Sequence, residues 1–312
     1  MKALRDGALA LRLAAADDRE VSDAVAAWGD DDWRAAVDTL RAHVVLIRAG
    51  ARCRALGLGG VVLRDAVALE ERRVDLVTSL LARIAAALDT QGIGYVLTKA
   101  LQHFPDMGHD IDLFLPERSP ARGDRIVREV AVARPVASSP LSAFAGKAAY
   151  LAEGIPLEIH HGRLGHVGEH GAFARALFAR RRRVSEGPVV AWVPSPEDQL
   201  LLQVVQRVVG HRWIRASDVL RTRALLDAGV DEGYVATTAR RAGIAHALRW
   251  YRAAVAAART GVVPLPITAQ AYASVGVAAA RAGELESLAR IAALPALAVA
   301  TTITRGLPRS RR

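Results

Sequence analysis

Two aspartates one residue apart, Asp110 and Asp112, open the apolar run Ile111-Asp112-Leu113-Phe114-Leu115. If that run is a β-strand, alternation puts both carboxylates on one face at its start and sends Ile111 and Leu113 into the core. Two carboxylates that close repel each other unless a cation lies between them. Mg2+ suits the place, because it takes oxygen ligands and keeps waters and substrate phosphates. Two such ions activate an attacking oxygen and neutralise a leaving pyrophosphate. A third acid, Glu158, stands in another β-type run, Leu157-Glu158-Ile159-His160. Upstream, Tyr95-Val96-Leu97 leads into Thr98-Lys99, where an ammonium meets phosphate as a point charge. Alone, an Asp-x-Asp tripeptide serves equally as a turn cap or an exposed edge; its company argues for metal chemistry.

The elements that position these groups divide the chain into three zones. Residues 1–91 form an N-terminal helical region, with helices expected over 3–15, 21–28 and 33–48. Asp32 or a neighbouring aspartate is the expected cap of the third. Val67, Val74, Val77, Leu81, Ile84 and Leu88, widened by Leu80, make the stripe of a further helix that ends before Gly92. Residues 92–194 change texture. Short β-type runs at 93–97, 111–115, 157–160 and 189–193 alternate with helical patterns over 119–133 and 169–182. Residues 195–312 return to helix. Ser195-Pro196-Glu197-Asp198 is a helix start, with a capping hydroxyl, a proline at the first turn and two acids at the positive end. Helices follow over 215–228, 232–242, 246–260, 269–282 and 284–303, the stretch 291–303 reading as a buried terminal helix, and 308–312 as a frayed end. The fold class expected is α+β: a small mixed-sheet core between N-terminal helices and a C-terminal helical bundle.

Composition narrows the function classes. Of 312 residues 52% are hydrophobic and 24% charged, enough for a packed core and against global disorder. The formal charge of +10 comes from arginine, since Lys2, Lys99 and Lys147 are the only lysines. It is scattered, as a bias toward Arg and Ala produces, and the dense run at 180–183 reads as a solvated helix end. Cys53 stands alone, so no internal disulfide forms. No signal core and no apolar run of about 20 residues is present, and a cytoplasmic protein without a membrane partner is expected.

Five segments in order resemble the bacterial nucleotidyltransferase family proteins of uncharacterised acceptor, which share the minimal polymerase-β-like fold. They are Gly92-Ile93-Gly94-Tyr95, Leu97-Thr98-Lys99, Asp110-Ile111-Asp112-Leu113, Leu157-Glu158-Ile159-His160 and Pro194-Ser195-Pro196-Glu197-Asp198-Gln199-Leu200-Leu201. The resemblance covers roughly residues 74–226. It implies transfer of a nucleoside monophosphate from a nucleoside triphosphate (NTP) to an acceptor, with pyrophosphate released and two Mg2+ ions as cofactor. Asp110 and Asp112 are then the catalytic metal ligands. Glu158 is the third carboxylate, binding a metal or drawing the acceptor proton. Thr98, Lys99, His109 and His160 line the nucleotide. Where many members begin a phosphate-cradling helix with two small residues, this chain has Lys99-Ala100.

Other readings stay open beside it. His109 neighbours the triphosphate or lies in an exposed loop. His103 and Asp106 share that loop and close over nucleotide in one reading. His160, His161, His166 and His170 fit no common zinc spacing. Arg215 and Asp218, about a helical turn apart, read as a structural pair, with Arg215 facing base or acceptor as the lesser alternative. The departure at Lys99-Ala100 leaves a degenerate binding or scaffold protein as the first alternative function. The basic charge leaves an RNA-binding or RNA-modifying protein as the second, though no aromatic-rich basic strand face favours it. Acceptor classes open to this core are small molecules, proteins and RNA.

Overall fold

The computed structural model describes residues 2–116, 121–211, 213–258 and 268–306. The chain begins with α1 (Lys2–Ala15), α2 (Asp18–Val25), α3 (Asp30–Ala42), α4 (Leu46–Ala55) and the long α5 (Gly60–Thr90). Gly29, not an aspartate, is the cap of α3, and Asp32 reaches back to accept its N–H at 3.0 Å. The single helix expected over 33–48 is broken at Val44, whose φ of 56 is left-handed and costly for a β-branched residue. Burial of Val44, Val45 and Leu46 holds the break in the core. The α5 stripe forms as its spacing predicts, with every one of its seven named residues buried. Gly92 at φ +64 lets the chain leave the helix.

After α5 come β1 (Val96–Leu97), β2 (Ile111–Leu115), α6 (Ala121–Val130), β3 (Arg134–Pro135), α7 (Pro140–Phe144), β4 (Lys147–Ala152) and β5 (Ile155–His161). Residues 119 and 120 of the expected 119–133 helix lie outside the described residues. The strands form a sheet in the order β1-β2-β5-β4-β3. β2 and β5 pair in parallel, and the other pairs are antiparallel. The strand expected over 93–97 shrinks to two residues. β4 is absent from the sequence-based expectation because Lys-Ala-Ala-Tyr-Leu-Ala carries little strand signal.

The helix expected over 169–182 stops early, as α8 (Gly171–Ala179). β6 (Arg182–Glu186) follows and pairs with β7 (Val189–Val193) in a separate two-stranded sheet. Of the arginines at 180–183, Arg180 caps the end of α8 and is exposed as expected, whereas Arg182 and Arg183, also exposed, belong to β6 rather than to a helix end. Arg180 donates to Glu197 at 2.9 Å, and Arg183, within β6, donates to Asp89 at 3.1 Å.

Alternation along β2 and β5 sorts the faces. Ile111, Leu113, Leu115, Leu157 and Ile159 pack with Leu80, Leu81, Ile84 and Leu88 of α5. Val96 and Phe114 pack instead with Phe173, Leu177, Leu200 and Leu201. Asp112, Glu158 and His160 have the parity of Phe114 along their strands, so they sit on the face that the C-terminal helices approach.

Those helices are α9 (Pro196–Val204), a π-helical segment (Val205–His211), α10 (Ala216–Asp227), α11 (Glu232–Arg241), α12 (Ala245–Ala257), α13 (Thr268–Arg281) and α14 (Leu285–Gly306). Residues 259 and 260 of the expected 246–260 helix, and the 308–312 tail, lie outside the described residues. Ser195 caps α9, as its motif predicts. Ala216 and Leu220 of α10 pack into the cluster built by α1 to α5. α14 is not the buried terminal helix expected: Ile291 and Leu294 are half-buried and Val299 is exposed. Among the described residues no helix is long and apolar enough to cross a membrane.

Candidate active site

The parallel register of β2 and β5 sets Asp112 directly opposite Glu158. His160, two residues on, presents Nε2 at 3.2 Å from Asp112 Oδ1 and 3.9 Å from Glu158 Oε2. Ligand atoms of Asp112, Glu158 and His160 all lie within 4.8 Å of one another. Asp110 stands one residue before β2 and joins the group through Lys99, whose Nζ lies 3.8 Å from Asp110 Oδ2 and makes an ion pair with Asp112 Oδ2. Lys147, at the start of β4, donates to Glu158 at 3.0 Å. Gly146, at φ +75, turns the chain into that strand, and its carbonyl accepts the His161 N–H at 3.0 Å.

Asp112 is wholly buried, with 0% exposure, while Asp110 and Glu158 are about one-third exposed. Burial alone would raise the Asp112 carboxyl, but the Lys99 charge and the His160 hydrogen bond hold it well below the usual range. Burial works against the Lys99 ammonium too; Asp112, Asp110 and Glu158 outweigh it and push the group up. Burial lowers His160 despite Asp112, so its imidazole is neutral at neutral pH.

Thr98 is buried, and both its N–H and its hydroxyl donate to the Asp112 carbonyl, at 3.0 and 3.2 Å. In this structure it ties β1 to β2. His109 is exposed in the loop beside Asp110. His103 and Asp106 do not form a closing lid: both are buried anchors. Asp106 accepts the Ile47 N–H at 2.7 Å and lies 3.6 Å from Arg48, and His103 lies 3.6 Å from Asp218. From α5, Arg73 donates to the carbonyls of Met107 and Gly108 at 2.7 and 2.9 Å. α4 and α5 thus grip the loop that delivers Asp110. His161, His166 and His170 join no candidate metal group among the described residues.

Four residues near the site escaped sequence reasoning or took other roles. Lys147 carried one signal, the rarity of lysine in this chain. Asp218 pairs with Arg207 of the π-helical segment at 2.8 Å rather than with the Arg215 guanidinium. It takes only the Arg215 backbone N–H, also at 2.8 Å, which caps α10. The Arg215 side chain is left with a buried Nε that has no hydrogen-bond partner among the described residues, in the field of Arg207, Asp218, Asp110 and Asp112. His211, ending the π-helical segment, keeps solvent exposure, yet partial burial of its ring and then Arg207, Lys99, Lys147 and Arg215 lower it to about 4. π-Helical turns often mark functional sites, and this one brings Arg207 to the buried Asp218.

A mixed sheet with paired acids on adjacent parallel strands and cations around them is a frame for phosphoryl chemistry. The comparison with protein families agrees. The chain belongs to a family described as uncharacterised nucleotidyltransferases, matched over residues 29–259. That match takes in the N-terminal helices that hold the Asp110 loop as well as the sheet and the helices up to α12. No curated protein matches the chain.

Proposed function

We propose that this chain transfers a nucleoside monophosphate from an NTP to an acceptor hydroxyl or phosphate, releasing pyrophosphate, with Mg2+ at the acidic centre. The observation that carries the reading is the grouping of Asp112, Glu158 and His160 in a member of this family. The residues fit a hard divalent cation. Two carboxylates face each other across β2 and β5 with a third beside them, and each already takes up a positive charge. Asp112, Asp110 and Glu158 would hold Mg2+, while His160, hydrogen-bonded to Asp112 Oδ1, would orient that carboxylate. Bound there, the metal supplies charge neutralisation for the phosphates and lowers the pKa of a coordinated oxygen.

The protein's own groups account for the rest. The acceptor oxygen attacks the α-phosphorus, the bond to the bridging oxygen of pyrophosphate breaks, and the acceptor proton goes to a base. We assign the proton to Glu158, partly open to solvent on β5, as the alternative to its holding a metal. Negative charge grows on the departing pyrophosphate, where Lys99 and Arg215 stabilise it. The place where other members begin a phosphate-cradling helix is here a four-residue 3-10 turn, Ala100–His103, with Ala100 and Leu101 buried. Side-chain cations replace that backbone cradle.

A thermal-shift titration with each NTP, with and without Mg2+, on wild type and Asp110→Asn tests the reading. A ligand at about 100 times its Kd stabilises by roughly 2.7 kcal/mol, about 4 °C for a chain of this length. The expected result is a Mg2+-dependent shift that Asp110→Asn abolishes. No shift with any nucleotide, in folded protein, overturns the reading and leaves a scaffold that kept the fold without the chemistry.

A further inference from the structure

Among 42 Lys and Arg side chains only three are lysines, and two of these, Lys99 and Lys147, end on carboxylates of the acidic centre. Everywhere else within the described residues this chain meets its buried carboxylates with arginine or histidine, as at Asp106 and Asp218. The difference has chemical content. A guanidinium binds a carboxylate through a rigid two-pronged fork. An ammonium is a compact point charge on a flexible stem, with three donors that can be redirected.

The placement is that of a cation between ligands. Lys99 Nζ stands between Asp110 and Asp112, and Lys147 Nζ sits on Glu158, itself 3.9 Å from His160 Nε2. Both lysine side chains keep partial exposure, 18% and 21%, whereas Asp112 has none. Without a counter-charge, three neighbouring carboxylates, one wholly buried, would be strongly disfavoured.

We propose that Lys99 and Lys147 are exchangeable counter-ions of the acidic centre: each holds its carboxylate until a divalent cation takes it, then turns its ammonium to the phosphates of the incoming nucleotide. The inference rests on the nucleotidyl-transfer reading and adds Lys147 to the groups that position substrate. It requires that metal alone binds weakly, because it must displace an ammonium. Nucleotide gives the released ammonium a new partner and so strengthens metal binding, and by linkage metal strengthens nucleotide binding equally.

Mn2+ serves as the probe, its free concentration followed by electron paramagnetic resonance, with and without NTP. The proteins are wild type, Lys99→Met, Lys147→Met and Lys147→Arg, each checked for fold by circular dichroism. Lys147→Met is the arm that survives if Lys99→Met fails to fold, since Glu158 is partly solvated. The methionine variants should bind Mn2+ alone more tightly, by about tenfold, and lose most of the enhancement that NTP confers. Lys147→Arg, with its firmer fork, should bind Mn2+ more weakly than wild type. Unchanged or weaker Mn2+ binding in folded Lys147→Met, while wild type still binds Mn2+ with NTP, overturns the exchange and leaves nucleotidyl transfer standing. No Mn2+ binding by any of the four proteins, even with NTP, overturns nucleotidyl transfer and this inference together.

Discussion

Neutralising Asp112 and neutralising Asp110 should have unequal consequences for the fold. Asp112→Asn removes the charge of a carboxylate with 0% exposure that faces the Lys99 ammonium and the His160 imidazole. Breaking a buried pair by removing one partner costs about 3–5 kcal/mol, because the other charge is left behind. Lys99 keeps Asp110 at 3.8 Å and some contact with water. The lower end, about 3 kcal/mol, therefore applies. With an unfolding entropy of about 2.1 cal/mol/K per residue, that is a fall in Tm of about 5 °C. Asp110 is one-third exposed, so Asp110→Asn should cost no more than about 1 kcal/mol and move Tm by less than about 2 °C. Calorimetry without metal or nucleotide measures both. The double variant Asp112→Asn with Lys99→Met removes the stranded ammonium and should recover a good part of the loss. Equal melting points for the two aspartate variants, or a double variant no more stable than Asp112→Asn, would refute the claim that this buried charge is held by Lys99.

Three further outcomes follow from neighbouring groups. Burial pushes the Asp106 carboxyl up to about 6, against the Ile47 N–H and Arg48. The folded form therefore keeps its proton where the unfolded chain has lost it near 3.8, and stability falls as pH rises between those values. Asp106→Asn should add about 2–3 kcal/mol at pH 8 in urea unfolding and little at pH 3.5; equal effects at both pH values would refute it. His103 shows the opposite sign. Burial, with Asp218 opposing it, lowers the imidazole to about 4, so stability present above its unfolded value of 6.5 is lost as pH falls toward 4. His103→Gln should flatten that decline in urea midpoints between pH 7 and 4.5, and an unchanged slope would exclude it as the source. Arg215→Ala should weaken NTP binding by roughly 10- to 100-fold in calorimetric titration while sparing Mn2+ affinity; unaltered nucleotide affinity would return Arg215 to a purely structural role.

The core strands and the long helix were legible because their periods are clean. β2 matches its apolar run, α5 its stripe, and β7 its five apolar residues. The acids were legible as residues with a chemistry, not as a geometry. Asp112 faces Glu158 only because β2 and β5 pair in parallel with that register, a contact 46 positions apart that no local pattern encodes. β4 was hidden by its alanines, and with it Lys147. The Arg215–Asp218 expectation shows how a correct spacing misleads. Three residues apart on a helix face, the side chains would meet, but the pair sits at a helix start, where the carboxylate caps the Arg215 backbone instead. Arg207, brought round by the π-helical segment, takes the charge.

The same non-local logic explains why the N-terminal helices belong to the chemistry although they hold none of its reactive groups. Asp110 lies outside any strand, so nothing in the sheet ladder fixes the path by which the loop reaches it. Ile47, Arg48 and Arg73 supply that constraint, bonding to Asp106 and to the carbonyls of His103, Phe104, Met107 and Gly108. Every one of these partners precedes Asp110 by at least two residues. The grip therefore sets the approach of the loop while leaving the carboxylate itself to the cation it meets. If the acids hold a cation as proposed, a site whose loop is gripped by α4 and α5 and whose carboxylates are met by ammoniums rather than by guanidinium forks would open without disturbing its walls.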